Sequence, residues 1–280
     1  MYCAWQAYLN ILPVWMREEV DRLGVQSLLE LRIRVDRHPD LITLKGKYSL
    51  QKKISPADIS YCMNAVSNYS PWASTTIQCG YITATGGHRV GICGDVVIAD
   101  GRISTIKNIT SLCIRVARDF PGVGQKAAGI EESMLIIGAP GKGKSTLLRD
   151  LIRQKSKNES VAVVDERKEL FPTVGADFCF FPGLSTDVLS GCSKPLGMQM
   201  LIKTMNPSWI AVDEITEAED CQGLIHAAWC GVKLLATAHA ESIHDFLNRP
   251  VYKPLIQNSI FKKIIVMQSD KSWILERLNI

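Results

Sequence analysis

The 280 residues are 46% hydrophobic and 21% charged, a composition that reads as globular and argues against a disordered or fibrous chain. With 32 basic and 28 acidic residues the net charge is +4, too mild to mark a nucleic-acid or anionic-lipid binder. No uninterrupted apolar run approaches the roughly 18 residues of a membrane span. The first residues also lack the basic start and small-residue cleavage site of an export signal, and the nine cysteines are scattered without a CxxC pair, so a reducing, cytoplasmic setting without membrane insertion is expected.

In chain order, residues 5–22 read as one or two short amphipathic helices broken at Pro13, with Trp5, Trp15 and Met16 as apolar anchors for a core or a partner. Leu31, Ile33 and Val35 alternate with Arg32, Arg34 and Asp36, which predicts a half-buried strand; a turn near His38 and Pro39 leads to a second. Ser55, Pro56 and Asp58 form a helix-start signature. Ile59, Cys62, Met63 and Val66 then share one stripe of a helix that should end before Pro71. From Gly80 to Ala117 the text is strand-like, with Gly86-Gly87 and Asp100-Gly101 as turn signals, and completes an α+β N-terminal domain over residues 1–120. Residues 121–132, rich in glycine and small side chains, are expected to be a linker.

Beyond the linker the pattern changes. Strands are predicted at 133–138, 160–166, 208–214 and 232–238 with helices between them, and a final hairpin pairs 261–267 with 272–278. This alternation predicts an α/β domain over 133–280, with a mostly parallel sheet and helices on both faces.

The apolar run Met134 to Ile137 breaks into Gly138, Ala139, Pro140, Gly141, Lys142, Gly143, Lys144, Ser145 and Thr146, which fit the phosphate-binding P-loop spacing. Glycines let successive backbone N–H groups turn inward around an anion, and the helix that follows presents its own N-terminal donors. Lys144 would reach the β- and γ-phosphates, and the Ser145 hydroxyl would meet Mg²⁺, so ATP with Mg²⁺ is the expected ligand.

Hydrolysis needs more than a cradle. Asp213, after Trp209, Ile210, Ala211 and Val212, is placed to hold the metal shell. Glu214 is expected on the other face of the same strand end, where it can orient and deprotonate the attacking water; the pair could also be a helix cap. Asp165 and Glu166 end a second apolar strand and should face the same cleft, because ligand crevices in open α/β sheets lie at strand carboxyl ends. His239 ends a third strand, where it can hydrogen-bond the γ-phosphate or cap the strand.

The ordered segments ELRIRVDRHPDLI, GYITATGGHRVGICG, SLCIRVARD, the P-loop, VVDERKEL, DVLSGCSKPLGMQMLIKTMNPSWIAVDEI and TAHA together resemble the stage III sporulation protein AA family, a branch of the secretion-superfamily ATPases. The resemblance implies a RecA-like P-loop NTPase core, a homo-oligomeric, hexameric ring, and ATP hydrolysis at the cytoplasmic side of a membrane channel whose proteins are its partners. It also implies that Lys144, Ser145, Asp165, Glu166, Asp213, Glu214 and His239 surround the nucleotide. Arg89, Arg115 and Arg118 sit where that family's N-terminal domain sends arginines toward the phosphates; strand-face arginines can equally be solvated.

Two departures stand out. Lys142 occupies a loop position where a small or polar residue is common, and His239 is followed by Ala240 and Glu241, where many secretion motors have threonine and asparagine. Three other readings remain: a transporter-type ATPase, since Leu189, Ser190 and Gly191 begin like its signature before Cys192 and Ser193 break it; a nucleotide-gated scaffold with little hydrolysis; and a nucleic-acid-stimulated ATPase, for which no aromatic-studded basic groove speaks.

Overall fold

The computed structural model describes residues 1–67 and 80–278, so Cys79 and the stretch around Pro71 lie outside the described residues. The chain forms two units, one of residues 1–119 with 172–180 and one of residues 120–171 with 181–280.

In the first unit α1 (Trp5–Ile11) and α2 (Val14–Leu23) part at Pro13, whose missing N–H cannot continue a helix. Tyr8, Met16 and Val20 are fully buried, while Trp5 and Trp15 flank the core part-exposed. The strands β1 (Leu28–Arg34), β2 (Asp40–Thr43) and β3 (Gly46–Ser49) precede α3 (Pro56–Ser67). The strands β4 (Tyr81–Ala84), β5 (His88–Ala99) and β6 (Arg102–Arg115) follow it and complete an antiparallel sheet of order β3-β2-β1-β6-β5-β4. Strand alternation sends Leu31, Ile33, Val90 and Ile114 into the core and turns Arg32, Arg89 and Arg115 to the opposite face. Helix α3 starts as its sequence requires, with the Ser55 N–H donating to Asp58 Oδ2 at 2.8 Å and the Asp58 N–H donating to Ser55 Oγ at 3.2 Å. Asp100 and Gly101 both take positive φ, 52° and 72°, which closes the β5–β6 hairpin.

In the second unit β7 (Met134–Ile137), α4 (Lys144–Lys155) and β8 (Val161–Asp165) come first. After Phe171 the chain passes into the first unit as the small hairpin β9 (Thr173–Val174) and β10 (Asp177–Phe178), then returns. There follow β11 (Thr186–Ser190), α5 (Lys194–Met205), β12 (Trp209–Ile215), α6 (Ala218–Trp229), β13 (Lys233–Ala238), α7 (Ile243–Asn248), α8 (Lys253–Gln257) and the terminal hairpin β14 (Lys263–Met267) with β15 (Trp273–Arg277). The sheet order is β11-β8-β12-β13-β7-β14-β15, parallel throughout except for β15.

Every residue of β7 and β8 is buried, as a parallel strand covered on both faces demands. Strand β11 has no such run, and sequence reading passes over it; it sits at the sheet edge, where among the described residues it pairs with β8 alone. Leu189 and Ser190 end that strand, so the resemblance to a transporter signature is a strand end. Only β13 separates the P-loop strand from β12, and the loops leaving β7, β13, β12 and β8 emerge at one edge of the sheet. Among the described residues no helix is long and apolar enough to cross a membrane.

Candidate functional site

The loop after β7 has the backbone of an anion cradle. Gly138, Gly141 and Gly143 take φ of 159°, 77° and 96°, and α4 begins at Lys144 without a side-chain cap, which leaves its first amides available to a ligand. Gly138 has a second reason to be glycine: a Cβ there would meet Met267 Cβ on β14 at 2.8 Å. Lys144 is buried and folded back on its own loop, its Nζ donating to Gly138 O at 2.7 Å and Ala139 O at 3.1 Å and lying 3.0 Å from His239 Nδ1. Burial draws its pKa below the usual lysine value, with Asp213 and Glu214 opposing. The unusual Lys142 is also accounted for, since its Nζ donates to Ser269 Oγ at 2.8 Å and ties the loop to the turn between β14 and β15.

The carboxylates at the end of β12 are set by its neighbour. Thr237, fully buried in β13, donates its hydroxyl to Asp213 Oδ1 at 2.5 Å and accepts the Glu214 N–H at 2.7 Å. Glu214 takes φ of 45°, and the β12–β13 register breaks between Val212 and Ile215. This bulge corrects the expectation from simple alternation. Asp213 and Glu214 do not point to opposite faces; they line one small cavity together with Asp165, Glu166 and Arg167. Glu214 Oε1 lies 2.8 Å from His239 Nε2, and Oε2 accepts from Arg167 Nη1 at 3.2 Å. An ammonium can only donate, so the network assigns the proton on His239 to Nε2, facing Glu214. Lys144, His239 and Glu214 thus form one connected chain from cradle to strand end.

Asp165 also lines this cavity, but its carboxylate is occupied. It accepts the N–H groups of Glu169 (2.8 Å), Leu170 (3.1 Å) and Phe171 (2.8 Å), and burial pushes its carboxyl up to about 6 against the pull of those amides. Its place is to shape the loop that carries Arg167. Glu166 accepts from the buried Lys194 at 2.6 Å, and Lys194 also lies 3.3 Å from Asp220. Helix α4 braces both sides of the site. Arg149 donates to Leu170 O at 2.6 Å and Glu169 O at 3.0 Å, and Asp150 accepts the N–H groups of Gly122 (2.9 Å) and Gly124 (2.7 Å).

The three arginines of the N-terminal region belong to the first unit. Arg89 lies 3.9 Å over the Tyr81 ring, and Arg115 Nε is 3.6 Å from Glu30 Oε2. The Arg118 guanidinium donates to the backbone carbonyls of Val25 and Leu28 in its own unit. Among the described residues no group of three or more His, Cys, Asp or Glu could hold a metal alone. Ser145 and Asp213 offer oxygen ligands only, a set that suits Mg²⁺ shared with phosphate oxygens.

Two residues escape a sequence reading. Thr237 has a visible signal, a hydroxyl in the otherwise apolar part of a central strand, whereas Arg167 looks like one more charge in an exposed loop.

The sequence model of the family described as "Sporulation stage III, protein AA" matches residues 6–274. Stage III sporulation protein AA of Bacillus subtilis (strain 168) is 32% identical over 277 residues, covering 94% of this chain and 90% of that protein. The uncharacterized protein ycf45 of Porphyra purpurea is 27% identical, but the match spans 43% of its length. Among solved structures, the Legionella pneumophila ATPase DotB superposes with a TM-score of 0.63 at 18% identity, over 95% of this chain and 80% of that one. The pilus retraction motor PilT with bound ADP gives 0.62 at 13% identity, over 96% and 84%. At these identities the structural likeness speaks for the fold alone, a RecA-like P-loop core.

Proposed function

Because the chain belongs to the sporulation stage III protein AA family, we propose that it is an ATP-hydrolysing subunit of a secretion-type motor, working as a homo-oligomeric ring against a membrane channel. The observation that carries this reading is the connected chain Lys144–His239–Glu214, which joins a phosphate cradle to a carboxylate able to act on water. On nucleotide binding, the first amides of α4 and the loop amides take the phosphates, and Lys144 exchanges the carbonyls of Gly138 and Ala139 for phosphate oxygens. Ser145 and Asp213 would hold Mg²⁺, which would supply neutralisation of the phosphate charge. Glu214 accepts a proton from the attacking water, and His239, released from Lys144, holds Glu214 or meets the γ-phosphate.

Arg167 is close enough to Glu214 to offset charge on the transferring group, and Arg89 and Arg115 are carried as further candidates for that role.

Two variants measured side by side test the reading. Lys144→Ala should lose ATP binding, while Glu214→Gln should bind ATP as the parent does and release phosphate about 100-fold more slowly or worse, the usual size of a lost general base. A Glu214→Gln protein that turns over at the parent rate removes Glu214 from the chemistry.

A further inference from the structure

Lys194 stands where local preference would not put it. It opens α5, whose first turn carries no acidic residue, and a cation there opposes the positive end of the helix dipole. It is also buried, at 5% exposure, and a buried ammonium is costly unless carboxylates meet it. A breach of local preference that is compensated from elsewhere in the chain points to a task. Two carboxylates supply the compensation, Glu166 Oε2 at 2.6 Å and Asp220 Oδ2 at 3.3 Å.

These partners belong to the two segments that build the candidate site. Glu166 opens the loop after β8, and its neighbour Arg167 donates to Glu214 Oε2 at 3.2 Å. Asp220 lies beyond β12, where its Oδ2 accepts the Thr216 N–H at 3.0 Å and the Glu217 N–H at 3.3 Å and so fixes the turn that follows Glu214. The path from Glu214 through that turn to Asp220, Lys194, Glu166 and Arg167 returns to Glu214 as a closed circuit. The backbone under Lys194 is fixed as well. A Cβ on Gly197 would meet Val164 Cγ1 of β8 at 2.6 Å, and one on Gly223 of α6 would lie 3.1 Å from Pro195 Cα, so the first turn of α5 is wedged between the sheet and α6.

We infer that Lys194 is a positioning residue for hydrolysis: it ties the loop that carries Arg167 to the turn behind Glu214, and so holds guanidinium and carboxylate in one geometry. The inference rests on the reading of Glu214 as the base and adds the residue that keeps it in place. What each partner retains without Lys194 decides where the effect falls. Asp220 keeps its turn amides, so the end of β12 stays formed. The Glu166 carboxylate has Lys194 as its hydrogen-bond partner among the described residues, so the start of the loop after β8 is what comes loose. The cradle follows β7, which β12 and β13 separate from β8, and none of the Lys194 bonds reaches it.

Steady-state phosphate release and calorimetric titration with ADP and Mg²⁺, both on the purified full chain, test this. Lys194→Met keeps the length of the side chain and removes its charge. It should lower kcat at least about tenfold and leave ADP affinity within about twofold of the parent, which also reports an intact cradle. Arg167→Ala should lower kcat too, and the double variant should be no slower than the slower single, because both changes cut the same circuit. Lys194→Arg, which keeps the charge, should recover part of the rate. Glu166→Ala breaks the tie from its part-exposed end and leaves Lys194 with Asp220; it should reproduce the kcat loss, and it carries the decision if Lys194→Met does not fold. Parent kcat in Lys194→Met or Glu166→Ala overturns the inference. So does a Lys194→Met effect that persists in full on the Arg167→Ala background, or ADP affinity that falls in step with kcat. Glu214→Gln in the same assay separates the two readings: if it is slow, these outcomes bear on Lys194 alone, and if it turns over at the parent rate, the base assignment falls and this inference with it.

Discussion

Thr237 shows how much one side chain decides. Its hydroxyl is donor to Asp213 and acceptor from the Glu214 backbone, and it holds Glu214 in a left-handed conformation that costs on the order of 1 kcal/mol for a residue with a Cβ. Thr237→Val keeps the volume and removes both bonds. The variant should lose about 1–3 kcal/mol of stability, since the part-buried Glu214 N–H and the Asp213 carboxylate both lose their partner. Hydrolysis should fall while ATP binding by the cradle persists; a phosphate-release assay at saturating ATP reads the difference. His88 makes a second residue-scale case. It is fully buried, receives the Ala117 N–H on Nδ1 at 3.1 Å, and has Nε2 3.0 Å from Ala4 O, so it is neutral with its proton on Nε2. Burial draws its pKa below the ordinary value, with the Ala4 bond opposing and Arg118 adding to the effect. The unfolded chain therefore takes up this proton first as pH falls. The stability owed to neutral His88 is present in full above about pH 6.5 and is lost as pH drops below it. Between pH 7.5 and 5.5 urea midpoints of the parent should fall more, or rise less, than those of His88→Asn, which cannot titrate; identical slopes would contradict the assignment.

At the scale of elements, the terminal hairpin seats the P-loop through the Gly138–Met267 approach and the Lys142–Ser269 bond. Gly138→Ala should displace β14 and weaken ATP binding, and adding Met267→Gly should restore part of it, because the atom met at 2.8 Å is the Met267 Cβ, which only glycine removes. Binding titrations of the two variants check this; no recovery in the double variant would place the strain in the backbone alone. The same elements show what a sequence can carry. The strands at 134–137, 161–165, 209–215 and 233–238 were legible because a buried parallel strand is one apolar run, and the P-loop was legible because its spacing is fixed by phosphate geometry. The α3 start was legible in Ser55 and Asp58 because its bonds are local. The bulge at Glu214 was not, since the hydroxyl that stabilises it belongs to another strand 23 residues on. Strand β11 and the β9–β10 hairpin were not either, because short, part-exposed strands lack a period to read. The partners of Arg118 were not legible either, since they are carbonyls of residues about 90 positions away.

For the whole molecule, the chain passes between its two units three times, after Asp119, Phe171 and Phe180. The second passage follows directly on the three amides clasped by Asp165, beside the cavity that Glu214 lines. In the proposed motor, this covalent route carries changes at the nucleotide site into the first unit, and the ring lets one subunit's step bear on the next. Both ideas depend on triphosphate chemistry at the edge of the parallel sheet. The most direct measurement sizes the purified protein with and without ATP and Mg²⁺ while phosphate release is recorded from the same samples. The account predicts larger assemblies with ATP and Mg²⁺, and release that rises per subunit as assembly proceeds. A protein that stays one size and releases no phosphate at any concentration contradicts it.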